Sequence, residues 1–315
     1  MLEHGGCLNA AARRYGITRA DWLDLSTGIA PWPYPLPTPP AEVWQRLPED
    51  DDGLDALAAA CYGADGLVLP GSQAAILHLP RLVPPGRVAM PALLYNEHPA
   101  TWAAAGHARV DWNEATQMRA DYAVLCNPNN PTGAVLSRAD LLACAARVKL
   151  LVIDEAFIDA EPLASMAGAA ENIVVLRSLG KFYGLAGARL GWIGGPPALL
   201  ARLAEVLGPW AVPHPARWAA RLALADRAWQ GAQRDRLRAR AQQLATLLRE
   251  HGFDAPSGTA LFQYVPTPRA AALQEALAQR AILVRRFDSP PALRFGLPGN
   301  DGDWQRLAIA LKEIA

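Results

Sequence analysis

The sequence predicts an α/β protein in two parts: a large domain with a mostly parallel sheet between helices, and a smaller α+β domain. Three observations carry this. From about residue 66 to 195, short apolar runs alternate with Ala- and Leu-rich stretches of helical spacing, the rhythm of a sheet layered by helices. Several of those runs lack polar alternation, which marks strands covered on both faces. At 315 residues the chain is also longer than one hydrophobic core commonly serves.

In chain order, residues 31–40 hold six prolines and must be an extended connector rather than a helix. The predicted strands of the large domain are Leu67–Leu69, Arg87–Met90, Tyr122–Cys126, Leu150–Ile153, Ile173–Leu176 and Leu190–Ile193. A break at Pro209–Pro215 precedes long Arg- and Ala-rich helices over Ala216–Glu250. Leu261–Val265, Ile282–Phe287 and Leu293–Gly296 then read as strands of the smaller domain. The expected division is an N-terminal arm, 1–40, that contributes to the small domain, a large domain, 41–212, and a small C-terminal domain, 213–315.

Composition narrows the function classes. Hydrophobic residues make up 51% and charged residues 19%, so the chain can fold compactly. Thirty basic residues balance thirty acidic ones, leaving no electrostatic footprint for nucleic acid or an anionic membrane. A small-molecule partner is expected. Cys7, Cys61, Cys126 and Cys144 form no Cys-x-x-Cys pair, so they read as free thiols, and no metal site is expected. The absence of a basic leader and of any run near 18 apolar residues fits a cytoplasmic protein.

Only three lysines occur, Lys149, Lys181 and Lys312. The middle one lies in Leu176-Arg177-Ser178-Leu179-Gly180-Lys181-Phe182-Tyr183, with Arg189 eight residues on. A lysine flanked by a hydroxyl and a guanidinium fork suits an aldehyde cofactor that also carries a phosphate. Asp154 ends the apolar run Leu150–Ile153, where a carboxylate can pair with a protonated ring nitrogen; a helix cap is the alternative. Cys126-Asn127-Pro128-Asn129-Asn130-Pro131-Thr132-Gly133 is a rigid turn after another strand. Gly71-Ser72-Gln73 follows a strand and opens a helix, a place for a phosphate.

These segments resemble fold-type I pyridoxal-phosphate enzymes of the class I and II aminotransferase superfamily, through the Ser-x-x-Lys-(x)7-Arg and Asn-Pro-x-Asn-Pro-Thr-Gly patterns. The resemblance implies that Lys181 binds pyridoxal 5'-phosphate and that Asp154 faces its pyridine nitrogen. It places Asn130 on the ring oxygen and Gly71, Ser72, Gln73, Ser178 and Arg189 around the phosphate. In Pro91–His98 it aligns His98 with the aromatic residue that stacks on the ring, with Tyr95 the alternative. Arg294 matches the clamp on the substrate carboxylate, and Arg285 a second anion holder.

Glu3-His4-Gly5-Gly6, Trp22–Ile29, Asp154-Glu155-Ala156-Phe157 and Leu176–Gly191 resemble, more narrowly, the threonine-phosphate decarboxylases of cobalamin biosynthesis. Histidinol-phosphate aminotransferases are next in pattern. This implies decarboxylation of L-threonine O-3-phosphate to (R)-1-aminopropan-2-yl phosphate by a homodimer. His4, Gly5, Gly28, Asn130, Arg285 and Arg294 would then contact the substrate. Phe157 stands where many aminotransferases have a tyrosine, which supports the decarboxylase. A histidinol-phosphate-type aminotransferase and a catalytically silent pyridoxal-phosphate-binding protein remain alternatives. Two positions depart from the pattern: Ala30 replaces an asparagine, and Asp52 replaces a tyrosine that in relatives reaches a neighbouring subunit's cofactor phosphate.

Overall fold

The computed structural model describes residues 4–314, so Glu3 of the N-terminal motif lies outside the described residues. In chain order the strands are β1 Leu23–Leu25, β2 Gly66–Leu69, β3 Arg87–Met90, β4 Ala108–Asp111, β5 Tyr122–Cys126, β6 Leu150–Asp154, β7 Ile173–Ser178, β8 Gly191–Gly194, β9 Ser257–Thr259, β10 Phe262–Pro266, β11 Ile282–Asp288 and β12 Pro291–Gly296. They form a seven-stranded sheet, β2-β8-β7-β6-β5-β3-β4, and a five-stranded sheet, β1-β11-β12-β10-β9. No described helix is long and apolar enough to cross a membrane.

The larger compact unit comprises Pro33–Asn130 and Ala134–Gly231. Its strands are parallel except β8, which runs antiparallel to both neighbours, β2 and β7. β5 and β6 are buried along their whole length, as their unbroken apolar sequences predict. Leu69, Val88, Met90, Val124, Val152, Val174 and Ile193 pack with Trp102 in one core cluster. The short strand β4 was not foreseen. Three of its four residues are exposed, and an edge strand of that kind carries no apolar run.

The smaller unit comprises Met1–Trp32, Pro131–Gly133 and Ala232–Ala315. β1 pairs parallel to β11, and the remaining pairs are antiparallel. Helix Leu8–Tyr15 closes on Gly16 in the left-handed region, where a side chain would be strained. Residues 131–133 belong here because the Ser257 hydroxyl donates to the Thr132 carbonyl at 2.9 Å.

The larger unit runs to Gly231, past the proline break at 209–215, and a buried ion pair ties helix His214–Ala225 into it. Arg217, in helix His214–Ala225, is 3% exposed. Its Nε and Nη2 lie 2.9 and 2.7 Å from the Asp52 carboxylate, beside helix Leu54–Tyr62. Asp52 also accepts the Leu54 N–H at 3.0 Å, at the start of that helix. This gives the departure at Asp52 a structural role. Burial alone would raise the Asp52 carboxyl, but hydrogen bonds from Arg217 and Leu54 hold it below the usual range.

Asp52→Ala is expected to destabilise the protein by about 3 kcal/mol at pH 7 in urea unfolding. That is the lower end for breaking a buried pair, since Asp50 and Asp55 lie 3.6 and 3.8 Å from Arg217. Because the folded-state pKa is lowered, the contribution is fully present above about pH 4, the ordinary aspartate value. It disappears as pH falls through the lower folded value, so the two proteins should converge in acid.

Candidate active site

The topology of the larger sheet gathers the predicted cofactor residues along one edge. Chain leaves β2 at Gly71-Ser72, β3 toward Tyr95 and His98, β5 toward Asn130, and β7 toward Lys181, all at the carboxyl ends of parallel strands; Asp154 is itself the last residue of β6. Arg189 joins them because β8 is reversed, so the residues that lead into it lie at the same edge.

Close backbone approach assembles the candidate phosphate residues. A Cβ on Gly191 would fall 2.4 Å from the Ser72 nitrogen, and one on Gly71, at φ +77°, would lie 3.0 Å from Arg189 Nη2. Gly191 is also the register partner of Ser178. Glycine at these two positions therefore lets Ser72, Ser178 and Arg189 come together. The donors they supply, a backbone N–H, hydroxyls and a guanidinium, are the chemistry a phosphate dianion requires. The Gln73 side chain is already engaged, donating to Glu97 at 3.0 Å.

Asp154 is buried and tightly held. Its Oδ1 accepts the Ala156 N–H at 3.0 Å, and Oδ2 lies 3.0 Å from His98 Nε2. His98, expected to stack on a cofactor ring, is 1% exposed and is held to Asp154 through Nε2. Tyr95 is the less buried of the pair, its ring 6.1 Å away at 82° to the imidazole. Burial, with Glu97, Asp154 and Cys126 nearby, pushes the Tyr95 phenol up to about 12, so it stays neutral near pH 7.

Cys126 is a member of the site that motif reading passed over as an ordinary thiol. It pairs with Asp154 in the β5–β6 register, and the backbone N–H groups of Tyr95 and Asn130 approach its sulfur. Burial and the Asp154 charge keep the thiol well above its usual range, hence protonated. His98, Cys126 and Asp154 bring ligand-type atoms within 4.8 Å of one another. The contacts already made to both Asp154 oxygens account for this grouping without an ion.

The Asn-Pro turn divides its labour. Asn127 clasps Leu136, accepting its N–H at 2.9 Å and donating to its carbonyl at 3.3 Å. Asn129 donates to the Leu93 carbonyl at 3.3 Å. Two of the three asparagines thus hold the loop, and Asn130 is the candidate ring contact by its place in the motif. Lys181 lies in the turn after β7, its Nζ 5.6 Å from the centre of the Phe157 ring.

Behind this edge, Arg177 bridges the buried carboxylates of Glu155 and Asp159. Glu155 also accepts the Ser165 hydroxyl at 2.6 Å and the Met166 N–H at 2.7 Å. Arg177 precedes Ser178 and Glu155 follows Asp154, so one ion cluster ties the strand ends that carry both residues. Burial pushes the Glu155 carboxyl up despite the Arg177 charge.

The predicted substrate residues belong to the smaller unit, apart from Asn130. Arg294, on β12, donates from Nη2 to the Ser26 carbonyl at 3.0 Å and lies over the Phe262 ring at 5.0 Å. Arg285 is its register partner on β11. A cavity of about 540 Å³ is lined by His4, Gly5, Gly6, Ser26, Arg14 and Arg285, among others. Gly28 is buried and does not line it, and Ala30 is buried as well.

The family model for class I and II aminotransferases matches residues 62–311. The chain is 51% identical to a threonine-phosphate decarboxylase of Pseudomonas aeruginosa, over 99% of the chain and 97% of that protein. It is 43% identical to another from a Sinorhizobium species, over 99% and 98%. Among solved structures, the histidinol-phosphate aminotransferase of Sinorhizobium meliloti in complex with pyridoxal-5'-phosphate aligns with a TM-score of 0.83 at 20% identity. That alignment covers 99% of this chain and 95% of the other, and speaks for the fold. The chain is a member of the class I and II aminotransferase family, and within it of the threonine-phosphate decarboxylase group.

Proposed function

We propose that the protein is a pyridoxal-phosphate-dependent carboxy-lyase that converts L-threonine O-3-phosphate to (R)-1-aminopropan-2-yl phosphate in cobalamin biosynthesis. The observation that carries the substrate is the 51% identity, spanning both units, to a threonine-phosphate decarboxylase. The residues present fit the cofactor, since Ser72, Ser178 and Arg189 supply the phosphate donors, Asp154 a fixed carboxylate and Lys181 an amine. When bound, pyridoxal phosphate supplies an electron sink for the pair left at the substrate α-carbon.

The protein's own groups do the rest. Asp154 would hold negative charge opposite the ring nitrogen, and its burial would strengthen that interaction. His98, held to Asp154, or its neighbour Tyr95 would cover the ring face. Arg294 binds the substrate carboxylate, and His4, Gly5 and Arg285 take the phosphate ester. Carbon dioxide departs, and Lys181 Nζ carries the proton that replaces it at the α-carbon. Phe157 brings no hydroxyl to the ring oxygen, which leaves Asn130 as the polar contact there. A cytoplasmic homodimer suits this reading; Trp44 and Leu47 are 68% and 61% exposed, as residues awaiting a partner surface would be.

The test supplies the holoenzyme with L-threonine phosphate and, separately, with histidinol phosphate and 2-oxoglutarate. Carbon dioxide from the first, with no 2-oxo acid formed, is the expected result. Steady glutamate formation from the second, with no carbon dioxide from the first, would replace the decarboxylase with an aminotransferase.

A further inference from the structure

Ser26 stands directly after β1 and is 2% exposed, yet no part of the chemistry above calls on its side chain. Its hydrogen bonds run in three directions. The hydroxyl donates to Asp24 Oδ1 at 2.6 Å, and the same oxygen accepts the Ser26 N–H at 2.9 Å. With its proton committed to Asp24, Ser26 Oγ is left as an acceptor, and it takes the Gly6 N–H at 2.7 Å. The Ser26 carbonyl accepts Arg294 Nη2 at 3.0 Å.

The fit against the N-terminal segment is close. A Cβ on Gly5 would fall 2.2 Å from the Ser26 carbonyl oxygen, so only glycine lets that segment lie against Ser26. One register step beyond the Leu25–Val284 pair is Arg285, itself paired with Arg294. Ser26 therefore occupies the point where the His4-Gly5-Gly6 segment, Arg285 and Arg294 meet, on the wall of the 540 Å³ cavity.

We propose that Ser26, oriented by Asp24, is the positioning residue for both anion holders of the substrate: its hydroxyl fixes the His4-Gly5-Gly6 cradle for the phosphate, and its carbonyl aims Arg294 at the carboxylate. This rests on the substrate reading given above. The two functions are separable, because Ser26→Ala removes the hydroxyl and keeps the carbonyl. The variant should loosen the phosphate end and leave the carboxylate end in place.

The experiment uses the holoenzyme and three probes: L-threonine phosphate, inorganic phosphate as a competitor, and L-threonine, which has the carboxylate without the phosphate. For Ser26→Ala, KM for L-threonine phosphate and Ki for inorganic phosphate should each rise about tenfold, the upper range for one hydrogen bond. The value of kcat and the spectral titration with L-threonine should stay within about twofold of the parent. Asp24→Ala, which frees the serine hydroxyl to turn, should shift the same two constants in the same direction by less. It also serves as the variant if Ser26→Ala does not fold.

Equal losses for L-threonine and the phosphate probes would mean a general structural role and overturn the proposal. Unchanged phosphate constants in both variants would do the same. If the parent enzyme itself binds L-threonine as tightly as its phosphate ester, the cradle is not a phosphate site. The substrate reading then fails, and the proposal with it.

Discussion

Lys181→Ala is expected to abolish turnover and all covalent retention of pyridoxal phosphate. Borohydride treatment of the parent holoenzyme should fix the cofactor to the peptide containing Lys181, and the variant should yield no labelled peptide. The other two lysines are placed for different work. Lys149 precedes β6, at the end of that strand opposite Asp154, and its Nζ is 2.8 Å from Asp121. Lys312 lies in the last helix, Asp301–Ile314, within the smaller unit. Only Lys181 shares the sheet edge with Asp154, Ser178 and Arg189. No neighbouring lysine can supply the amine that Lys181 Nζ provides, so the expected effect is complete loss rather than a graded one. Label on Lys149 or Lys312 would remove Lys181 from the role of cofactor-binding residue.

For Asp154→Asn the expected result is a protein that keeps its cofactor and loses about 10²–10³-fold in kcat, the range for removing one preorganised electrostatic partner. Asparagine retains the shape, and its oxygen can still accept the Ala156 N–H that now reaches Oδ1. His98 can adapt as well, because either ring nitrogen can act as donor or acceptor according to tautomer. What the change removes is the negative charge opposite the ring nitrogen. Charge-assisted bonds are roughly twice as strong as neutral ones, and the buried setting magnifies the difference. The visible spectrum of the bound cofactor provides a second readout besides turnover. Full activity in the variant would remove Asp154 from the electron-sink role and leave it the structural one of holding His98.

Much of the candidate site is legible in the chain because its residues lie in short contiguous patterns. The lysine segment with Arg189, the Asn-Pro turn and the aspartate after an apolar run each lie beside a strand that apolar composition alone predicts. The parallel topology then follows from alternating strands and helices, and it places those segments at one edge. Residues whose role depends on distant partners were harder to read. Cys126 looks like any buried thiol until the β5–β6 register sets it against Asp154. His98 also meets Asp154, a ring nitrogen 3.0 Å from its carboxylate, and no local pattern encodes that contact across 56 residues.

Asp52 shows the same division. As a departure from a pattern it suggested a missing phosphate contact, whereas folding pairs it with Arg217, 165 residues away. That pairing moves helix His214–Ala225 into the larger unit. Ser26 was only one letter of a motif until β1, β11 and β12 came together around it. The sequence by itself determined the fold class and singled out Lys181 as the candidate reacting lysine, since composition, periodicity and contiguous motifs are local properties of a chain. The tertiary structure alone decided which buried polar groups face one another. Every buried donor or acceptor must find a partner, and the partner is chosen by strand register and packing rather than by position along the chain.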